Sequence, residues 1–222
     1  DGVTDNGAAF VYLGPGFTNS TFLTVIQAGA AFGAAVGGAG DLNNDGFDDV
    51  VVGAPGFDGT AGSNSGATYV YYGGSGAFNP VADATMLGPA QAANMGASVR
   101  GVGDVNNDGF DDLAVGVSRY NPGGRPDQGG AFIYFGSASF DITADAVLAI
   151  PEPSVNAGAS VAGGRDVNGD GIADVVVGAP GYESNGNFVD EGAAAVFFGG
   201  NGALDTAPDA ILRSGRAGAA GG

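Results

Sequence analysis

An all-β chain built from repeated four-stranded antiparallel sheets is what this sequence predicts, and three observations predict it. A nine-residue pattern, D-x-N-x-D-G-x-x-D, starts at Asp41, Asp104 and Asp166, in steps of 63 and 62 residues. A short β-branched run ending in a turn follows each copy. A second run, rich in apolar residues and bounded by glycines, follows that. Both runs are apolar without alternation, so both faces of each sheet must be covered, and stacking against further copies of the unit does this. Radial stacking gives a β-propeller and linear stacking a solenoid; four strands per unit favour the propeller. A β-roll has far shorter repeats, and a β-sandwich would not repeat its acidic loop.

The elements follow in the same order in each unit. Ahead of the acidic loops stand Phe32-Gly33-Ala34-Ala35-Val36, Met95-Gly96-Ala97-Ser98-Val99 and Ala157-Gly158-Ala159-Ser160-Val161. Behind them lie Val50-Val51-Val52-Gly53-Ala54-Pro55, Leu113-Ala114-Val115-Gly116-Val117-Ser118 and Val175-Val176-Val177-Gly178-Ala179-Pro180. These runs are too short and too β-branched for helices. A variable polar loop leads to the third strand, at 66–73, 130–136 and 192–199. A short fourth strand is read at 84–87, 146–150 and 210–213. The stretch Asn6-Gly7-Ala8-Ala9-Phe10-Val11-Tyr12-Leu13-Gly14 matches a third strand, so the chain opens midway through a blade. The expectation is a single segment, 1–222, of about three and a half blades in an incomplete ring. Residues 1–20 are the end of a blade, 21–83, 84–145 and 146–208 three repeats, and 209–222 the start of the next.

The acidic loops carry the chemistry. Oxygen donors at positions 1, 3 and 5 can converge on one hard cation, glycine at 6 lets the backbone turn sharply, position 7 can offer its carbonyl, and a carboxylate at 9 closes the shell. This order predicts three Ca²⁺ sites: Asp41, Asn43, Asp45, Phe47 and Asp49; Asp104, Asn106, Asp108, Phe110 and Asp112; Asp166, Asn168, Asp170, Ile172 and Asp174. The last acid arrives three residues too early for an EF-hand, and a strand follows. Asp-Gly is also a hairpin turn signal in its own right; acid or amide at four fixed positions in three copies favours the metal.

Charge points the same way. The chain has 24 acids against six basic residues, no histidine and no cysteine, and a formal net charge of −18. Three Ca²⁺ would bring this to −12, so the ion-free loops are self-repelling. Nucleic acid and anionic membranes are disfavoured as partners, because both are bound through basic patches. Without cysteine, any staple must be oxygen-based. No apolar span long enough for direct membrane insertion is present. Several surface calcium sites suit the millimolar calcium outside cells, so an extracellular or cell-surface location is expected.

Phe32-Gly33, the loop Asp41 to Asp49 and Gly53-Ala54-Pro55 together resemble the FG-GAP repeat of integrin α-subunit propellers and their bacterial relatives. The second copy reads Met95-Gly96 and Gly116-Val117-Ser118, and the third reads Ala157-Gly158 with Gly178-Ala179-Pro180. These departures spare every calcium position. The resemblance implies a seven-bladed propeller with calcium at hairpins on one face and partners at loops on the other. Seven repeats would need about twice this length, so the chain is an excerpt of a longer protein or its blades meet those of another chain.

The loops at 56–65, 118–129 and 181–191 differ between copies. They carry Asp58, Arg119, Tyr120, Arg125, Asp127, Tyr182, Glu183, Asp190 and Glu191, a recognition surface for a protein or glycan ligand. The aromatic strands at Tyr69-Tyr71-Tyr72, Phe132-Tyr134-Phe135 and Phe197-Phe198 read as core rather than as a sugar platform. Asp48 and Asp111, at position 8, read as solvated charge. No enzyme is expected, since without histidine, cysteine or lysine there is no nucleophile-base pair or Schiff-base former, and no carboxylate pair stands apart from the loops. The reading is a calcium-binding module for adhesion or assembly. Its alternatives are a filament subunit joined by blade edges, and a carbohydrate-binding module or part of a secreted glycosidase.

Overall fold

A computed structural model describes residues 6–14, 20–152, 154–183 and 191–213. Asp190, the start of the chain and residues 214–222 lie outside the described residues. Three four-stranded antiparallel sheets follow one another, preceded by a two-stranded one. The half blade pairs β1 (Ala9–Tyr12) with β2 (Ser20–Leu23). The first full blade is β3 (Ala35–Gly40), β4 (Asp49–Ala54), β5 (Ala67–Tyr71) and β6 (Ala84–Leu87). The second is β7 (Met95–Gly103), β8 (Asp112–Val117), β9 (Ala131–Tyr134) and β10 (Ala146–Leu148). The third is β11 (Ser160–Arg165), β12 (Asp174–Ala179), β13 (Ala193–Phe197) and β14 (Ala210–Arg213). Each is a simple meander, consecutive strands pairing in order. The fourth strands lie beyond the divides at 83, 145 and 208 and hydrogen-bond to the third strands before them. The result is an incomplete propeller of four-stranded blades.

Meander topology sends the first and third turns of every blade to one end and the second turns to the other. The Asp-rich loops and the connections after β5, β9 and β13 therefore share one face, and the variable loops at 56–65 and 118–129 share the opposite face.

The central strands are buried without alternation: every residue of β5, β8 and β9 is buried. Tyr69, Tyr71, Phe132, Tyr134 and Phe197 lie in the core, and Tyr69 meets Phe32 edge-on at 5.4 Å between ring centroids. The apolar clusters lie between the sheets. Val51, Val70 and Met86 of the first blade pack with Leu113, Val115 and Tyr134 of the second. Ala114, Ile133 and Leu148 of the second pack with Val175, Val177 and Phe197 of the third.

The repeated dipeptides sit where blades touch. Phe32, Met95 and Ala157 are all buried, each bridging to a glycine at the start of a third strand in the blade before, Gly7, Gly66 and Gly129. A buried plug is what this position needs, which is why methionine and alanine replace phenylalanine there. The glycine that follows cannot be replaced so freely: Gly33 has φ +86°, and a Cβ on it would collide with the Ala8 carbonyl. After the second strands, Phe57, Tyr120 and Tyr182 donate their backbone N–H to Ala54, Val117 and Ala179, closing β-turns in which Pro55, Ser118 and Pro180 follow the acceptor.

Candidate metal centre

Each Asp-rich loop joins the first two strands of a blade, and a register shift precedes it, at Gly38/Gly40, Gly101/Gly103 and Gly163/Arg165. The turn requires positive φ at positions 4 and 6. Asn44 (φ 57°), Asn107 (φ 58°) and Gly169 (φ 87°) supply the first; Gly46, Gly109 and Gly171, near 90°, supply the second.

The side chains at positions 1, 3 and 5 face this turn. In the first loop Asp41 accepts the backbone N–H of Asp45 through Oδ1 (2.9 Å) and that of Gly46 through Oδ2 (2.8 Å). Asn43 Oδ1 accepts the N–H of Asp45 (3.0 Å), and Asp45 Oδ1 that of Phe47 (3.0 Å). The second loop repeats all four bonds with Asp104, Asn106 and Asp108, the last accepting from Phe110. In the third, Asp166 Oδ2 accepts from Gly171, Asn168 Oδ1 from Asp170, and Asp170 Oδ1 from Ile172, while Asp166 Oδ1 accepts from Asn168 and Gly169. These backbone donors hold the Asp166 carboxyl below the usual carboxylate range, Gly171 contributing most.

Position 9 has a second task. Asp49, Asp112 and Asp174 are buried, and each carboxylate bridges two backbone N–H groups. One Oδ accepts from position 2 of the same loop (Leu42, Val105 or Val167); the other accepts from the glycine that ends the third strand (Gly73, Gly136 or Gly199), all at 2.7–2.9 Å. Burial pushes Asp49 up to about 6 and Asp112 up to about 7, against the opposing pull of those amides. The acids at positions 5 and 1 raise both further.

The structure thus brings positions 1, 3 and 5 onto one turn, while position 9 is bonded beneath it. Among the described residues no three acids are gathered closely enough to form a ready metal cage. The donor set nonetheless fits a hard cation: it is all oxygen, with three carboxylates and an amide in each loop, and two of the position-9 carboxylates lie buried with their ionised form disfavoured.

Two structural roles escaped the sequence reading. Asp83, Asp145 and Asp209, just before each fourth strand, accept the N–H of Tyr72, Phe135 and Phe198 at 2.7 Å and so close the third turn. Their spacing from the aromatic-glycine pairs was the available signal. Asp111 is the second: it is half-buried and accepts the Asp41 N–H (2.9 Å), so solvated charge describes the exposed Asp48 but not Asp111.

On the opposite face, several residues read as a recognition surface are engaged within the fold. Tyr120 stands edge-on to Phe132, Tyr182 packs against the core, Arg125 donates to the Pro151 carbonyl (2.6 Å), and Asp58 accepts the Asn64 N–H (2.8 Å).

Four-stranded meander blades, with an Asp-rich loop in the first hairpin of each full blade, define a repeat β-propeller. The FG-GAP repeat pattern matches at residues 32–71, 95–134 and 157–197, and the chain belongs to the FG-GAP repeat family. It is similar to integrin alpha-6 of Homo sapiens, 37% identical over 139 residues that make up 63% of this chain and 12% of that protein. Integrin alpha-5 of Xenopus laevis is 34% identical over 169 residues, 71% of this chain and 15% of that protein. Integrin alpha-3 of Mus musculus is 45% identical over 92 residues, 41% of this chain and 8% of that protein. The chain thus spans about a seventh or less of the length of these relatives. No helix of the described residues is long and apolar enough to cross a membrane.

Proposed function

We propose that this chain is a calcium-stabilised, non-enzymatic FG-GAP module for adhesion or protein assembly at the cell surface or outside the cell. The observation that carries this reading is the side-chain geometry of the loops. In three copies, oxygens at positions 1, 3 and 5 are turned onto one tight turn by closely similar backbone bonds. Calcium would be held by Asp41, Asn43, Asp45 and Asp49, by Asp104, Asn106, Asp108 and Asp112, and by Asp166, Asn168, Asp170 and Asp174. The carbonyls of Phe47, Phe110 and Ile172 would complete the shells. The ion would offset two of the three like charges in each loop and tie the first hairpin of each blade. The variable loops on the opposite face would take a protein or glycan ligand, and similarity to integrin α subunits favours a protein.

A second reading is assembly, in which a neighbouring blade, from the same protein or from another chain, covers the faces of the outer blades. Leu212 of the third blade is 58% exposed, whereas Leu148 and Met86 at the same place are buried. Phe10 and Tyr12 of the half blade are 56% and 55% exposed, while Tyr69 and Tyr71 are buried.

Native mass spectrometry with and without calcium tests both. Three ions on a monomer support a single calcium module, and three per chain on a larger species support assembly. A chain that holds no calcium overturns the metal reading. Binding confined to a glycan array would move the ligand class from protein to sugar.

A further inference from the structure

We propose that Asp111 is a positioning residue for the calcium loop of the blade before its own. Its carboxylate clamps the backbone of Asp41, the first ligand position of loop 41–49, so that it serves that loop rather than the loop 104–112 in which it stands. This rests on the calcium reading of the loops.

The contact is reciprocal. Asp41 donates its backbone N–H to Asp111 Oδ2 at 2.9 Å, and Asp111 donates its own N–H to the Asp41 carbonyl at 3.4 Å. Gly40 provides the seat: it has φ +75°, and a Cβ there would collide with the Asp111 carboxylate. At the next junction the backbone half of this arrangement recurs, Ala173 N–H donating to the Asp104 carbonyl at 3.3 Å, with Ala173 over Gly103. The carboxylate half does not recur, because alanine has none. Position 8 is therefore a contact point between consecutive blades at both junctions, and only Asp111 adds an anionic acceptor to it. The bond to a charged acceptor fixes the peptide that carries the Asp41 side chain, and the charge lies beside the loop that would receive the cation. Asp48 occupies the corresponding place in loop 41–49 and is exposed, which fits a role that exists only across a blade junction.

The experiment compares the unaltered chain with Asp111→Ala and Asp111→Asn by NMR. In calcium-free buffer, hydrogen exchange is read at the Asp41 amide. In a calcium titration, the amides of Gly46, Gly109 and Gly171 report the three loops separately. Asp111→Ala should speed exchange at Asp41 about tenfold or more. It should move the Gly46 midpoint to about fivefold higher calcium or beyond and leave Gly109 and Gly171 in place. Asp111→Asn keeps an acceptor oxygen and should restore most of the protection at Asp41. The proposal is overturned if Asp41 exchange does not change, if Gly109 moves while Gly46 stays, or if all three midpoints move together. Absence of any response to calcium overturns the calcium reading and the role of Asp111 in it, whereas Asp41 exchange separately decides whether the Asp111 carboxylate clamps the loop backbone.

Discussion

Loop 104–112 and loop 166–174 share one pattern and one backbone design, yet they live in different surroundings. The first is pressed under the third blade. Val105 is wholly buried and its carbonyl accepts the Gly200 N–H at 2.9 Å; Asn106 is buried, and Asn107 donates to Asn201 Oδ1 at 2.7 Å. In the second, Val167 occupies the place of Val105 and is 59% exposed, and Asp166, Asn168 and Asp170 are exposed. Leu42, in the first loop, is buried beneath the second blade as Val105 is beneath the third. The comparison teaches that a loop is built by its own nine residues but finished by the blade that follows it.

The largest expected effect separates the two loops directly. Val105→Asp places an unpaired charge in a closed interface and should cost more than about 4 kcal/mol of unfolding free energy, whereas Val167→Asp should cost less than about 0.5 kcal/mol. Denaturant unfolding of the two variants measures this, and equal losses would break the comparison.

Next in size is the division of labour inside one loop. Asp112→Ala leaves the buried N–H groups of Val105 and Gly136 without their acceptor and should cost about 2–4 kcal/mol in calcium-free buffer. Asp108→Ala should cost under about 1 kcal/mol there, because Asp108 is exposed, but should lower the calcium count by one. Thermal melts without calcium, paired with ion counting, check both outcomes.

A pH effect follows. Burial raises Asp112 to about 7 and Asp49 to about 6 in the folded chain, against 3.8 ordinarily. The folded state therefore binds protons that the unfolded chain has already released, and calcium-free stability should rise as pH falls from about 7 towards about 4. Asp166 acts in the opposite sense: its lowered folded value contributes stability that is lost on further acidification below its ordinary range. Melting of the calcium-free chain across this range should show a maximum at mildly acidic pH, and a steady fall from pH 7 would contradict the burial of the position-9 acids.

The smallest effect refines the comparison. Asn201→Ala removes an exposed side-chain bond to loop 104–112 and should cost about 0.5–1 kcal/mol. It should quicken amide exchange in that loop and leave loop 166–174 unchanged.

Much of this was legible in advance because its causes are local. Positive φ at the fourth and sixth loop positions needs Asn or Gly, and the sequence places Asn44, Asn107 and Gly169, then Gly46, Gly109 and Gly171, at those points. Unbroken apolar runs foretold buried central strands, and the phase of Asn6 to Gly14 foretold a half blade. What escaped depends on contacts between residues far apart in the chain. Sequence alone leaves Asp111 a solvated charge, because nothing near it in the chain shows that Asp41, seventy residues earlier, lies against it. The recognition-loop residues Tyr120 and Tyr182 looked available because their inward contacts come from neighbouring strands and blades.

The sequence by itself determined the repeat, the order of strands in each blade and the donor types on each loop, because strand period, turn conformation and ligand spacing are properties of a few consecutive residues. Only the tertiary structure decided which copy of each position is buried. Leu148 and Leu212, or Val105 and Val167, occupy equivalent places in their repeats, and what separates them is whether another blade packs over that face. Burial of apolar area needs a second surface, and for a stacked repeat that surface lies in the next unit.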